Sequence, residues 1–179
     1  MAFLDVAARY GLQPPFLEIG VAPGSNCILA AEYFAGKERH AVNLHEFKQE
    51  DGINFVKANS NDLSNVFRDG QFNTVISNAV LEHDRFFWLS IAEMHRVLAP
   101  GGHLVVSAPG FIPRKQVRAT VVGEDVEMAT ITHDIHAVPD YWRFSRWAFK
   151  HVFCEGLQML EIKVIMEIPR ILAVAQKPA

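Results

Sequence analysis

The stretch FLEIGVAPGSN, Phe16 to Asn26, decides how the rest of the chain is read. Phe16, Leu17 and Ile19 surround a single acid, Glu18, and run into Gly20, Ala22, Pro23 and Gly24. An apolar run of this length ending in glycines reads as a buried strand that turns sharply into a helix. Nucleotide-binding proteins use that geometry, because small residues let the backbone approach a ligand.

The elements that follow fit such a start. A short helix, Ala2 to Tyr10, is expected to stop at Gly11 and the Pro14-Pro15 pair. A helix is predicted from Ser25 to about Lys37, strands over His40–Leu44 and Ile53–Lys57, and a short helix over NDLSNVF, Asn61 to Phe67. Phe72 to Ser77 reads as a strand. Asp84 is placed to cap the longest helix, whose Phe87, Ile91, Met94 and Leu98 share one face before Pro100-Gly101-Gly102. HLVVSA, His103 to Ala108, is the next strand. Ser145 caps RWAFKHVFCE and Gly156 ends it, and LQMLEIKVIM and RILAVAQ close the chain as two successive strands.

Alternating strands and helices imply right-handed crossovers. The fold class is therefore α/β: a Rossmann-like, doubly wound, mostly parallel seven-stranded sheet with helices on both faces. The last two strands predict a hairpin and an antiparallel strand at the C-terminal end. No repeat or linker divides residues 1–179, so one domain is expected. Ligands of such sheets sit beyond the carboxyl ends of the strands, where the turn at Gly20 falls.

Seventeen Lys and Arg against twenty Asp and Glu give a net charge of −3, so no global basic field draws the chain to nucleic acid or to an anionic membrane. No apolar run approaches the roughly 18 residues needed to span a bilayer. Cys27 and Cys154 form no CxxC pair and read as reduced thiols, and the first residues lack the apolar core of a signal peptide. A cytoplasmic protein is expected.

Two templates compete for the first turn. A dinucleotide turn wants glycines at the first, third and sixth positions from Gly20, which hold Gly20, Ala22 and Ser25. It also presses against a doubly charged pyrophosphate, for which Glu18 is an awkward neighbour. The template acid-x-Gly-x-Gly-x-Gly is filled by Glu18, Gly20 and Gly24, with Ala22 in the middle position. That template suits S-adenosylmethionine, whose ammonium and sulfonium charges a carboxylate attracts and whose own carboxylate a helix N-terminus accepts.

FLEIGVAPGSN, INFVKANSNDL, FNTVISNAVLEHDRFFW and RVLAPGGHLVVSAPG, in this order over Phe16 to Gly110, resemble successive motifs of class I S-adenosylmethionine-dependent methyltransferases. The likeness is to the group called type 11, and DYWRFS and EGLQMLEI are similar to the tails of its small bacterial members. The resemblance implies a cofactor site at Glu18, Gly20, Ala22, Gly24, Asn43, Asn59, Ser60 and Asn78. Two positions depart from the family pattern. The acid that grips the ribose hydroxyls falls at Asn43, and the Asp that meets the adenine amino group falls at Asn59. Both keep hydrogen-bonding shape and lose a charge-assisted bond, which implies weaker cofactor binding.

Methyl transfer is an in-line displacement in which positive charge is dispersed, so alignment is the main task and a base helps when the acceptor is a hydroxyl. His83 and His136 are the candidate bases. No metal is expected: Glu82 and His83 lack the further acid that some relatives carry, Ala79 standing in its place, and His133 and His136 around Asp134 lack a third placed ligand. The unpatterned stretch Phe111 to Tyr141 is long enough to be a substrate lid. Its aromatic and polar residues suit a small-molecule acceptor, with O-methylation of a saccharide or similar metabolite as the expected chemistry. About fifteen residues precede the first strand, so the lid acts alone, a second subunit of a homo-oligomer contributes, or the site is open to a large acceptor. The replacements at Asn43, Asn59 and Ala22 leave a second reading, a methyltransferase fold that serves as a catalytically weak binding or partner module.

Overall fold

The computed structural model describes residues 2–21, 27–48, 52–113, 127–129, 139–165 and 170–179. Ala22 to Asn26, with the expected Ala22 and Gly24 contacts, lie outside the described residues, as does His136. Helix α1 (Ala2–Tyr10) precedes β1 (Phe16–Ile19), β2 (Arg39–Asn43), β3 (Asn54–Lys57) and β4 (Phe72–Asn78). Helix α2 (Phe87–Val97) leads into β5 (Leu98–Ala108), and β6 (Phe111–Pro113) pairs with β7 (Glu127–Ala129). Helix α3 (Arg146–Ala148) continues as a π-helical turn, Phe149–Phe153, before β8 (Gln158–Ile165) and β9 (Arg170–Gln176).

Seven strands form one sheet in the order β3-β2-β1-β4-β5-β9-β8. The first five pair in parallel, and β9 runs antiparallel between β5 and β8. The reversed strand is therefore β9, one place inside the edge. Side chains alternate across the sheet as a period of two demands. Leu17, Val75, Leu104, Val106, Ile171 and Ala173 pack with α2, Phe149 and Phe153 on one face. Phe16, Ala41, Ile76, Val105, Leu172 and Val174 pack with α1, Leu29 and Phe34 on the other. Successive residues are buried on both faces, which is why the strands read as continuous apolar runs.

Two predicted helices take another form, and a third starts later than expected. Over the described part of 25–37 there are two single-turn 3₁₀ segments, Ile28–Ala30 and Glu32–Phe34, separated by Ala31 at ψ 147°. Tertiary partners hold the groups that an α-helix would use. Glu18 takes the Ile28 and Leu29 N–H groups, and buried Arg39 donates through Nη1 to the Leu29 carbonyl at 2.9 Å. Asn61 to Phe67 forms turns instead of a helix, because the side chains of Asn59, Glu93 and Asp62 accept from the N–H groups of Asn61, Leu63 and Ser64. Asp84 does not cap α2, which begins at Phe87. Its Oδ1 accepts from Phe86 N and its Oδ2 from Ser90 Oγ, a fold-back that delays the helix.

Strand β5 starts at Leu98, five residues before the predicted His103, and Pro100-Gly101-Gly102 lies inside it beside a register shift. The predicted irregular lid holds the β6–β7 ladder among its described residues. Ser145 caps α3 as expected, its Oγ accepting from Ala148 N at 3.2 Å, and Gly156 takes a φ of +74° after the turn. No helix among the described residues is long and apolar enough to cross a membrane. Cys27 and Cys154 are free and buried.

Candidate functional site

Strands β1, β2 and β4 deliver their carboxyl ends to one cavity of about 360 Å³. Such a volume lies within the roughly 300–1,000 Å³ of small-molecule sites, and its place on the sheet is where doubly wound folds bind ligands. Gly20, Asn43, Asn59, Ser60 and His83 stand in its wall, so the fold unites five of the expected site positions. Leu44, Asn61, Asp84, Arg85, Phe86 and Tyr141 also line it.

Gly20 has a φ of +80°, a backbone state that favours glycine. Ala79, also in the wall, holds a φ of +53° without that freedom. Such strain persists where the surroundings enforce it, and here Ala79 N donates to Ser107 O at 2.9 Å.

Glu18 belongs to the support of this turn and not to the described wall. It is 2% exposed, and its carboxylate accepts from Ile28 N at 3.1 Å, Leu29 N at 2.9 Å and Cys27 Sγ at 3.5 Å. Burial pushes its carboxyl up to about 7, against the two amides, which favour the charged form. Burial and the neighbouring Glu18 push the Cys27 thiol up to about 12.

Asn43 holds the ends of β1 and β2 together. Its Nδ2 donates to Val21 O at 3.0 Å and its Oδ1 accepts from His45 N at 3.0 Å. An Asp could not make the first of these bonds, which gives the Asn a local structural reason. Asn59 Oδ1 likewise accepts from Asn61 N at 3.0 Å. Asn78 lies apart from the wall, its Oδ1 accepting from Arg170 Nη1 at 3.1 Å.

A hub absent from the sequence reading fixes the floor. Ser90 Oγ lies 2.6 Å from Asp84 Oδ2, 2.8 Å from Asn61 Nδ2 and 2.8 Å from Ser60 Oγ. Asn61 Nδ2 also reaches Asp84 Oδ2 at 2.7 Å. Only the fold brings α2 to the β3 turn, and neither spacing nor residue type signals it. The rim is aromatic: Arg85 Cζ stands 5.8 Å from the ring centroids of both Phe86 and Tyr141, which are half exposed.

Beneath His83 lies a buried polar cluster. Glu82 is 1% exposed, and its Oε2 has no hydrogen-bond partner among the described residues. Burial pushes its carboxyl up to about 7; Asp140 adds to this, while Arg143 and Arg170 oppose it. The Glu82 carbonyl accepts from Tyr141 N at 2.7 Å and Trp142 N at 3.2 Å, fastening the 139–144 segment to the turn Leu81–His83. His83 Nδ1 lies 2.8 Å from Asp140 Oδ1 and 3.2 Å from Pro139 O. Among the described residues no group of three or more His, Cys, Asp or Glu could hold a metal ion.

Residues 17–106, half of the chain, match the family model of a methyltransferase domain, type 11. The chain belongs to that methyltransferase family. No curated protein matches it significantly. Among solved structures, the Burkholderia thailandensis 1,6-didemethyltoxoflavin-N1-methyltransferase, holding its substrate and S-adenosylhomocysteine, is similar at a TM-score of 0.65 and 16% identity, over 99% of this chain and 77% of that one. The N-methyltransferase NodS from Bradyrhizobium japonicum WM9 is similar at 0.64 and 18% identity, over 99% and 93%. A Haloferax volcanii complex of the Trm112 methyltransferase activator with a methyltransferase gives 0.64 and 14%, over 99% and 89%. Likenesses at these identities show the shared fold.

S-adenosylmethionine is the cofactor that family membership implies, and the residues present fit it. A side chain on Gly20 would collide with Val80, so only a bare backbone leaves this corner of the cavity open. Apolar Leu44 and Val80 beside the amides of Asn59 and Asn61 give the mixed lining that an adenosine needs.

Proposed function

We propose that this protein is a cytoplasmic methyltransferase that moves a methyl group from S-adenosylmethionine to a hydroxyl of a small-molecule acceptor, a saccharide or similar metabolite. The observation that carries the reading is the cavity beyond β1, β2 and β4, with Gly20, Asn43, Asn59, Ser60 and His83 in one wall. Gly20 would let the ligand approach the backbone, Asn43 would face the ribose, and Asn59 and Ser60 would meet the adenine. Glu18 holds the 3₁₀ segment Ile28–Ala30 to the end of β1 by its bonds to Ile28 and Leu29. When bound, the cofactor supplies an electrophilic methyl group on a cationic sulfur.

The chain's own part is alignment and proton removal. His83 is the base, with His136 as the second candidate from the lid. Exposed Tyr141 and Phe86 offer flat apolar faces to the C–H side of a sugar ring, beside polar Arg85 and Asp84. The 1,6-didemethyltoxoflavin-N1-methyltransferase and NodS are N-methyltransferases by name, so amines belong in the acceptor panel.

Calorimetry with S-adenosylmethionine and S-adenosylhomocysteine tests the cofactor. Binding of both is expected, and no heat at millimolar ligand would refute the proposal. A panel of hydroxyl and amine acceptors tests the chemistry, turnover of hydroxyl compounds being the expected result. The second reading, a weak or inactive binding module that acts with a partner or a second copy, is favoured by Asn43, whose two polar side-chain atoms already have protein partners. Robust turnover by the isolated chain ends it.

A further inference from the structure

His83 serves as a base only if the correct ring nitrogen holds the lone pair. Its Nδ1 is hydrogen-bonded to the Pro139 carbonyl oxygen at 3.2 Å, and Asp140 Oδ1 lies 2.8 Å from the same nitrogen as an ion-pair neighbour with no hydrogen-bond partner among the described residues. Neither a carbonyl oxygen nor a carboxylate donates, so beside these two groups together Nδ1 carries a hydrogen whether the ring is charged or neutral. In the neutral ring the lone pair then falls on Nε2.

Asp140 is itself fixed. Its side chain is 2% exposed, and Oδ2 pairs with Arg143 Nη2 at 2.5 Å. The backbone bonds of Tyr141 and Trp142 to Glu82 O hold the same segment independently of the carboxylate. Among the described residues, the ionisable groups nearest the His83 ring include Asp140 on the Nδ1 side and Glu82 on the other, where Oε1 lies 3.8 Å from Nε2. Arg143 stands behind Asp140.

We propose that Asp140 is a positioning residue of this site, holding His83 in the Nδ1–H form so that Nε2 takes the proton of the acceptor hydroxyl. This rests on the methyl-transfer reading above. As the acceptor O–H bond breaks, its electron pair stays on oxygen for the incoming methyl carbon and the proton moves to Nε2. The resulting imidazolium lies against the Asp140 carboxylate, and the proton then leaves to water. Removing the carboxylate charge has a defined consequence. In Asp140→Asn the amide oxygen is drawn to Arg143, which turns the NH₂ toward Nδ1, so that a donor competes there with the Pro139 carbonyl and the share of the opposite tautomer rises.

Imidazole ¹H–¹⁵N correlation spectra of the full ¹⁵N-labelled chain test this. The wild-type protein at alkaline pH is expected to show His83 protonated on Nδ1, and Asp140→Asn to shift it toward Nε2–H. Asp140→Glu should restore the wild-type pattern in part. Turnover of a hydroxyl acceptor should fall about 100-fold or more in Asp140→Asn, the range of acid–base contributions, while affinity for S-adenosylhomocysteine stays within about twofold. A wild-type ring protonated on Nε2 overturns the inference without recourse to any variant. An Asp140→Asn protein with unchanged tautomer and turnover overturns it as well. If S-adenosylhomocysteine fails to bind the wild type, methyl transfer and this inference fall together; normal binding with either adverse result removes Asp140's role alone.

Discussion

Gly20 and Val80 meet at the junction of β1 and the turn after β4: a Cβ built on Gly20 would lie 2.5 Å from Val80 Cγ2 and 2.6 Å from Cγ1. Gly20→Ala combines that overlap with a φ of +80° and is expected to destabilise the fold by about 2–4 kcal/mol in urea denaturation. Adding Val80→Ala should relieve the overlap and leave the φ strain. The double-mutant cycle should thus show a favourable coupling of about 1–3 kcal/mol. Simple additivity would mean that the two residues do not meet.

Glu82 makes stability depend on pH. Its folded value, about 7, lies above the ordinary 4.5, so the folded chain binds more protons than the unfolded one between those values. The contribution of Glu82 to stability is therefore fully present below about 4.5 and is lost as pH rises to about 7, and that of Glu18, raised to about 7, runs in the same sense. Glu82→Gln is expected to remove a share on the order of 3 kcal/mol of this fall. Urea midpoints at pH 5 and pH 8 measure it, and an undiminished pH dependence in the variant would contradict the assignment.

Ser90→Ala removes the hydroxyl shared by Ser60, Asn61 and Asp84. The partly buried partners lose a shared neighbour that water from the cavity replaces in part, so a loss of about 0.5–1.5 kcal/mol is expected. Because Ser60, Asn61 and Asp84 stand in the cavity wall, S-adenosylhomocysteine affinity should weaken several-fold in calorimetry. Unfolding and binding indistinguishable from wild type would remove the hub from the account.

Ala79→Gly should stabilise the protein by about 0.5 kcal/mol. Relief at φ +53° exceeds the added freedom of the unfolded chain by a small margin. Thermal unfolding reads the sign, and a lower melting temperature would show that Ala79 is not strained.

Strand positions were legible because a doubly covered sheet needs apolar residues on both faces, and the runs at Phe16, Phe72, Leu104 and Ile171 meet that need within themselves. The helix expected over 25–37 failed for a reason outside its own segment. Its good helix-forming residues compete with Glu18 and Arg39, which reach in from β1 and β2. Asp84 reads as a helix cap in the sequence because a local pattern cannot reveal Ser90 and Asn61, which take its Oδ2 in the fold.

The sequence by itself determined the strands of the sheet and its ligand end, because local periodicity and turn chemistry carry that information, while the resemblance to a known family pointed to Gly20, Asn43, Asn59 and Ser60, and the chemistry of a base to His83, all of which line the cavity. Only the tertiary structure decided what those side chains touch: Asn43 bridging two strand ends, Glu18 supporting a turn, and Asp140 brought from 57 positions away to the ring of His83. Contacts between segments distant in the chain are selected by packing and burial of the whole fold, and no short stretch of residues encodes them.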